Sequence, residues 1–144
     1  MSSILIALAE SDTDILRCFP VMLQLRPHLV EAEFVTRVRR MQAEGFHLAA
    51  VTEDGTVRAV AGYRYHEKLF SGRTLYVDDL VSDTSHRSRG HGARLLDWLA
   101  GQARERQCDV LELDSGVQRF DAHRFYFRER MKISSYHFIR PLRE

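Results

Sequence analysis

Within the 144 residues, the run Arg87-Ser88-Arg89-Gly90-His91-Gly92 has the composition that handles a phosphate. Glycines let a backbone approach a ligand closely, and at the start of a helix the unpaired amides and the positive dipole end attract a pyrophosphate. Arg87 and Arg89 add charge-assisted donors. No Gly-Lys-Ser/Thr follows, which removes the P-loop reading, and the third glycine of the dinucleotide fingerprint is missing. A lone Gly-x-Gly at a helix start is equally a structural loop, so its surroundings must decide. The other reactive side chains organise less chemistry. Seven histidines include no pair at the spacing of a hydrolytic zinc site, so no metal is expected. Cys18 and Cys108 stand far apart without a ligand or redox motif, and neither has an evident histidine partner, which argues against a covalent cysteine route.

The elements that must position the loop follow from apolar periodicity. Residues 4–9 read as a strand, followed by Ser11 and Asp12 as helix-cap candidates and a helix carrying Ile15, Leu16, Phe19, Met22 and Leu23, which Pro20 makes irregular or broken. Helical spacing of Phe34, Val35, Val38 and Met41 predicts a second helix over 31–44, ended by Gly45. Strand-like runs at 46–52 and 57–65 flank Asp54-Gly55, a hairpin signal. A strand over 74–82, a helix over 92–107, a strand over 110–113, a short helix from an Asp121 cap through Glu129, and a last strand near 133–139 complete the chain. The order β-α-α-β-β-β-α-β-α-β predicts an α/β (α+β) fold, with a mixed sheet flanked by helices. No linker or repeat appears, so residues 1–144 are expected to form one domain.

In this setting the loop Arg87-x-x-Gly90-x-Gly92 resembles motif A of the GNAT superfamily of N-acetyltransferases. The resemblance continues through Asp78-Asp79-Leu80-Val81-Ser82-Asp83 ahead of it, Leu111-Glu112-Leu113-Asp114-Ser115 behind it, and Ala122-His123-Arg124-Phe125-Tyr126, like the family helix that ends in a Phe-Tyr pair. It spans roughly residues 76–138, almost half the chain. It implies the GNAT (acyl-CoA N-acyltransferase) fold, with a single, mostly antiparallel sheet, and acetyl-CoA as co-substrate. Residues 87–93, that is Arg87, Ser88, Arg89, Gly90, His91, Gly92 and Ala93, would grip its pyrophosphate, His91 through its backbone amide rather than its ring. Backbone amides of Leu80, Val81 and Ser82 would meet the thioester carbonyl and pantetheine arm. Tyr126 would lie near the sulfur as general acid, since a phenol of pKa near 10 matches a thiolate of similar basicity; the alternative is a core aromatic. Asp79 would bind the amine and relay its proton, with Asp78 in reserve because period-two alternation turns the two to opposite faces unless a bulge intervenes. Ser115 stands where the family often has asparagine to contact pantetheine, and Arg130-Met131 replaces the usual Gly-Phe; these departures touch the acceptor pocket more than the coenzyme. Tyr63, Tyr65 and His66 either line that pocket or pack within the sheet.

Composition narrows the partners. With 21 Lys+Arg against 20 Asp+Glu the net charge is +1, which excludes the broad basic footprint of a general nucleic-acid or membrane-surface binder. The N-terminal apolar stretch is too short for a signal peptide or a span, and the cysteine usage suits a reducing cytoplasm. The expected acceptor is a primary amine on a small molecule; a protein N-acetyltransferase and a non-catalytic acyl-CoA sensor remain as alternatives. A homodimer through the last strand stays open.

Overall fold

The computed structural model describes residues 3–87 and 89–143. They divide into a larger unit, Met1–Leu113, and a smaller one, Asp114–Glu144.

The larger unit is a five-stranded sheet with helices on both faces. Its strands are β1 (Ile4–Leu8), β2 (His47–Glu53), β3 (Thr56–Lys68), β4 (Gly72–Ser82) and β5 (Val110–Leu113), side by side in sequence order. The first three pairings are antiparallel and the last is parallel. The β2–β3 hairpin closes at Asp54 and Gly55, both with positive φ (51° and 84°), the geometry that the right-handed twist of a hairpin favours and that an Asp-Gly pair supplies cheaply.

Three helices cover one face. Ser11 caps α1 (Asp12–Arg17) by accepting from the Asp14 amide at 3.1 Å. Pro20, in the first turn of α2 (Phe19–Leu25), needs no amide partner there, so the expected irregularity resolves into two short helices meeting at Cys18. In α3 (Glu31–Gln42), Phe34 and Val38 turn inward. These helices bury Ile15, Cys18, Phe19, Met22, Phe34 and Val38 against Phe46, Leu48, Ala50, Val60 and Val81 of the sheet. Alternation sends Ala49, Val51, Ala61, Tyr63 and Val77 to the other face, where α4 (His91–Glu105) packs on β3 and β4. Leu95, Leu99 and Ala103 are its inner positions, with Leu95 and Leu99 fully shielded from solvent.

The smaller unit contains α5 (Phe120–Arg128). Its start differs from expectation: Arg119 occupies the cap position without a side-chain bond, while Asp121 lies inside the first turn and pairs with Arg124 at 2.6 Å. The last strand expected at 133–139 is also overturned, since residues 131–140 form no helix or strand. Strict alternation fails there, with Ser134-Ser135 and Phe138-Ile139 as adjacent like pairs, and the segment has no ladder partner among the described residues. Its apolar side chains are exposed, Phe138 at 92% and Ile139 at 81%. The element order therefore ends on a helix.

Candidate active site

The site is built on β4, and a break in that strand's register decides its chemistry. Along the β3–β4 ladder Gly62 opposes Asp79, but the next residue, Tyr63, opposes Val77, so Asp78 is the extra residue of a bulge. Alternation alone would send the two aspartates to opposite faces. The bulge instead lets both meet arginines on the face of α1–α3. Asp79 Oδ1 accepts from Arg26 Nε at 2.8 Å, and the same guanidinium donates to the Asp78 carbonyl at 3.0 Å. Asp78 Oδ2 accepts from Arg64 Nε at 2.8 Å, and Arg64 lies over the Phe46 ring, 5.3 Å from its centre, which fixes its face.

The two ion pairs are not equivalent. Asp79 is the more enclosed, at 15% side-chain exposure against 21% for Asp78. Burial pushes its carboxyl above the ordinary carboxylate range, against the hydrogen bond and charge of Arg26, which pull it down. Gly62 makes this crowding feasible, because Phe46 and the Asp79 carboxylate occupy the space a side chain there would need.

On its other side β4 is released. The parallel ladder with β5 runs from Thr74↔Val110 to Val77↔Leu113 and stops, while β3 stays paired through Ser82. Successive amides of a strand point to opposite sides. Part of the 79–82 segment therefore directs amides away from β3, beyond the end of the β5 ladder. Leu80 and Val81 have buried side chains, so the backbone is what they can offer a ligand.

Beyond β4, Asp83 caps a single 3-10 turn, Thr84–His86, by accepting from the Ser85 amide at 3.2 Å. The chain then reaches Gly90, which caps α4 in the left-handed region at φ 81° with open space where a Cβ would stand. Among the described residues no side chain caps this helix, and no acidic residue lies in its first turn. The amides of His91, Gly92 and Ala93 precede the first intrahelical donor, Arg94, which bonds to the Gly90 carbonyl at 3.0 Å. Arg87 and Arg89 are exposed, and no carboxylate pairs with either among the described residues. The His91 ring is buried. Ser88 lies outside the described residues. A helix start free of acid, beside two exposed arginines, has the charge that favours a bound anion.

Tyr126 and Ser115 lie in the smaller unit. Tyr126 is on α5, its hydroxyl accepting from Arg119, and burial raises its pKa above the usual phenol value, so the proton is held at neutral pH. Among the described residues, the Ser115 hydroxyl oxygen is buried without a hydrogen-bond partner. Tyr63 and Tyr65 turn away from the carboxylates and pack under α4. Tyr63 stacks on His47 at 5.1 Å and meets Trp98 edge-on at 6.3 Å, and Arg106 covers Tyr65 at 4.2 Å. Cys18 is buried and donates to the Asp14 carbonyl, and its thiol is pushed up to about 12, far from a nucleophile's value. Sequence reasoning missed Arg26 and Arg64. They lie 53 and 14 residues from their partners, and no local signal points to either.

Similar proteins identify the family. The model of the acetyltransferase (GNAT) family matches residues 12–131. An uncharacterized N-acetyltransferase of Bacillus subtilis, YhdJ, is 35% identical over 126 residues, covering 86% of this chain and 89% of that one. The aminoalkylphosphonate N-acetyltransferase of Salmonella typhimurium is 36% identical over 66 residues, 46% of this chain and 43% of that one. In fold, the chain is similar to aminoglycoside N-acetyltransferase AAC(6')-Iy in complex with CoA, with a TM-score of 0.86 at 14% identity over 99% of this chain and 97% of that one. A family model that spans most of the chain and a relative aligned along most of both lengths make this protein a member of the acetyltransferase (GNAT) family.

Proposed function

We propose that this protein transfers the acetyl group of acetyl-CoA to the primary amine of a small molecule, by direct attack within a ternary complex and as a single domain. The observation that carries the reading is the start of α4. Among the described residues it has no side-chain cap; its first turn is free of acid, it is turned by a left-handed glycine, and it is preceded by a strand released from its β5 neighbour. Residues 87–93 bind the pyrophosphate, and amides of Leu80, Val81 and Ser82 hold the thioester carbonyl, where they stabilise the oxyanion as the amine adds. Asp79 binds the incoming ammonium and takes one proton, directly or through water, so that a neutral nitrogen attacks the carbonyl carbon. The carbon–sulfur bond then breaks, Tyr126 supplies the thiolate's proton, and the second amine proton leaves to solvent. The Ser115 hydroxyl serves the pantetheine arm. The products are the N-acetylated amine and CoA thiol.

A small acceptor is supported by the relative named for an aminoalkylphosphonate and by the carboxylates of Asp78 and Asp79, which sit beside two guanidinium groups. Such a neighbourhood suits an amine carrying an anionic group of its own. The free cysteines suit a reducing, cytoplasmic setting. A homodimer is supported by the exposed apolar residues Ile133, Tyr136, Phe138, Ile139 and Leu142, and sedimentation of the purified protein tests it. The activity test offers acetyl-CoA with a panel of aminoalkylphosphonates, amino sugars, polyamines, amino acids and short peptides, follows thiol release and confirms products by mass. Selective acetylation of a small amine supports the reading. Acetylation of peptides alone moves the acceptor class to protein, and tight CoA binding without turnover identifies a sensor.

A further inference from the structure

Beneath the helix start lies a charged cluster that none of these roles uses. Arg58, on β3, is 20% exposed and stands between two carboxylates that are more enclosed still, Glu53 at the end of β2 (12%) and Asp83 at the head of the loop (15%). Its Nε is 3.4 Å from Glu53 Oε1, and one terminal nitrogen is 3.8 Å from Asp83 Oδ2 and 3.3 Å from His86 Nδ1. The Arg58 carbonyl accepts from the Asp83 amide at 2.7 Å. Glu53 in turn lies 3.8 Å from Nε2 of the buried His91, the first residue of α4. One guanidinium thus ties the residues that enter the loop, Asp83 and His86, directly, and the residue that leaves it, His91, through Glu53. Gln24 of α2 braces the same corner, donating to Asp83 Oδ1 at 3.1 Å and accepting from the Thr84 amide at 2.8 Å.

We infer that Arg58 is a positioning residue for the pyrophosphate loop. It holds the two ends of residues 83–91 at the spacing an acetyl-CoA pyrophosphate requires, without touching the reacting atoms. A loop whose ends are fixed before the ligand arrives loses less conformational entropy on binding. The guanidinium meets both carboxylates as ion pairs at 3.4 and 3.8 Å and not as hydrogen bonds, its Nε having no hydrogen-bond partner among the described residues, and its breadth lets one cation reach Glu53 and Asp83 together. Removing it takes away the side chain that meets Glu53, Asp83 and His86 together, so the entry and exit of the loop lose their common partner.

The inference rests on the proposed use of the loop, and the experiment separates the two. CoA affinity is measured by calorimetry for the wild type, Arg58→Met and Arg58→Lys. Turnover is compared with acetyl-CoA and with S-acetylpantetheine, a donor that lacks the pyrophosphate. Arg58→Met is expected to weaken CoA binding and raise the acetyl-CoA KM by about tenfold, with kcat at saturation within twofold. Arg58→Lys restores part of the loss. With S-acetylpantetheine the wild type and Arg58→Met are expected to match. Equal losses with both donors would make Arg58 a general structural residue and overturn the inference, as would unchanged CoA affinity in both variants. A wild type that binds no CoA removes the proposed loop function and this inference with it.

Discussion

Gly62 is where the fold and the carboxylate site press hardest on one another, so Gly62→Ala is the sharpest perturbation available. A Cβ there would lie 2.6 Å from Phe46 Cε1 and 2.8 Å from Asp79 Oδ2, with Phe46 Cζ closer still. Ordinary carbon contacts begin near 3.5 Å, so the ring must retreat by about 1 Å. Phe46 is 4% exposed and packed into the core of the α1–α3 face, which leaves it no free space. Overpacking of this kind costs about 1–3 kcal/mol. Unfolding entropy of about 2.1 cal/mol/K per residue gives about 0.3 kcal/mol/K for 144 residues, so Tm is expected to fall by about 3–10 °C. Displacement of the Asp79 carboxylate should also raise the KM for the amine more than that for acetyl-CoA. The matched control is Gly101→Ala, inside α4 with nothing within 4 Å of the added carbon. It should gain about 0.5–1 kcal/mol from helix propensity. Thermal unfolding and steady-state kinetics read both variants. A Gly62→Ala protein with wild-type Tm and wild-type amine KM would refute the packing argument.

Three other perturbations address the loop, the acid and the buried carboxylate. Gly90→Glu forces a side chain onto a backbone at φ 81° and puts a negative charge at the helix start, so calorimetry should find no CoA binding; wild-type affinity would exclude the pyrophosphate role. Tyr126→Phe should lower kcat by about a hundredfold, within the usual range for a lost general acid, while the acetyl-CoA KM stays within twofold; equal kcat would leave Tyr126 as packing. The folded-state pKa of Asp79 is raised, chiefly by burial. Its contribution to stability is therefore full below the ordinary aspartate value and is lost as pH rises through the folded value. Urea denaturation across pH 3–7 should show the wild type losing ground to Asp79→Asn over that rise, and a difference independent of pH would contradict the shift.

Much of the framework was legible because its signals are local. Asp54-Gly55 marks its hairpin, Pro20 marks the division of the first helix, and the loop glycines mark the start of α4, expected at Gly92 and found at His91, each through backbone constraints carried by one or two residues. The carboxylate arrangement was not legible. Whether Asp78 and Asp79 share a face depends on which residue of β3 stands opposite, and that register belongs to two strands together. The partners Arg26 and Arg64 come from other elements for the same reason. The expectation of a strand at 133–139 failed in the opposite way. A run of apolar and polar residues is enough to suggest a strand, but a strand also needs a neighbouring edge. Asp121 misled more simply: an aspartate near a helix start can cap it or sit inside the first turn beside an arginine, as it does here.

The strictly sequential order of the sheet bears on how the molecule comes together. β2, β3 and β4 join through turns of two and three residues, so their pairing closes small loops at low entropic cost and can proceed early. The parallel β4–β5 pair instead waits for the whole excursion through residues 83–109, including α4. Non-local pairings of this kind are the slow ones. The glycine turn and the helix start lie inside that excursion, so the proposed pyrophosphate site is complete only once this pair has closed, much as β1 joins the sheet only across residues 9–46. A ligand that grips this helix start therefore acts on a slow, non-local step of assembly and not on the hairpins. During refolding its presence should slow re-opening of the β4–β5 seam while leaving the rate at which the antiparallel meander forms unchanged.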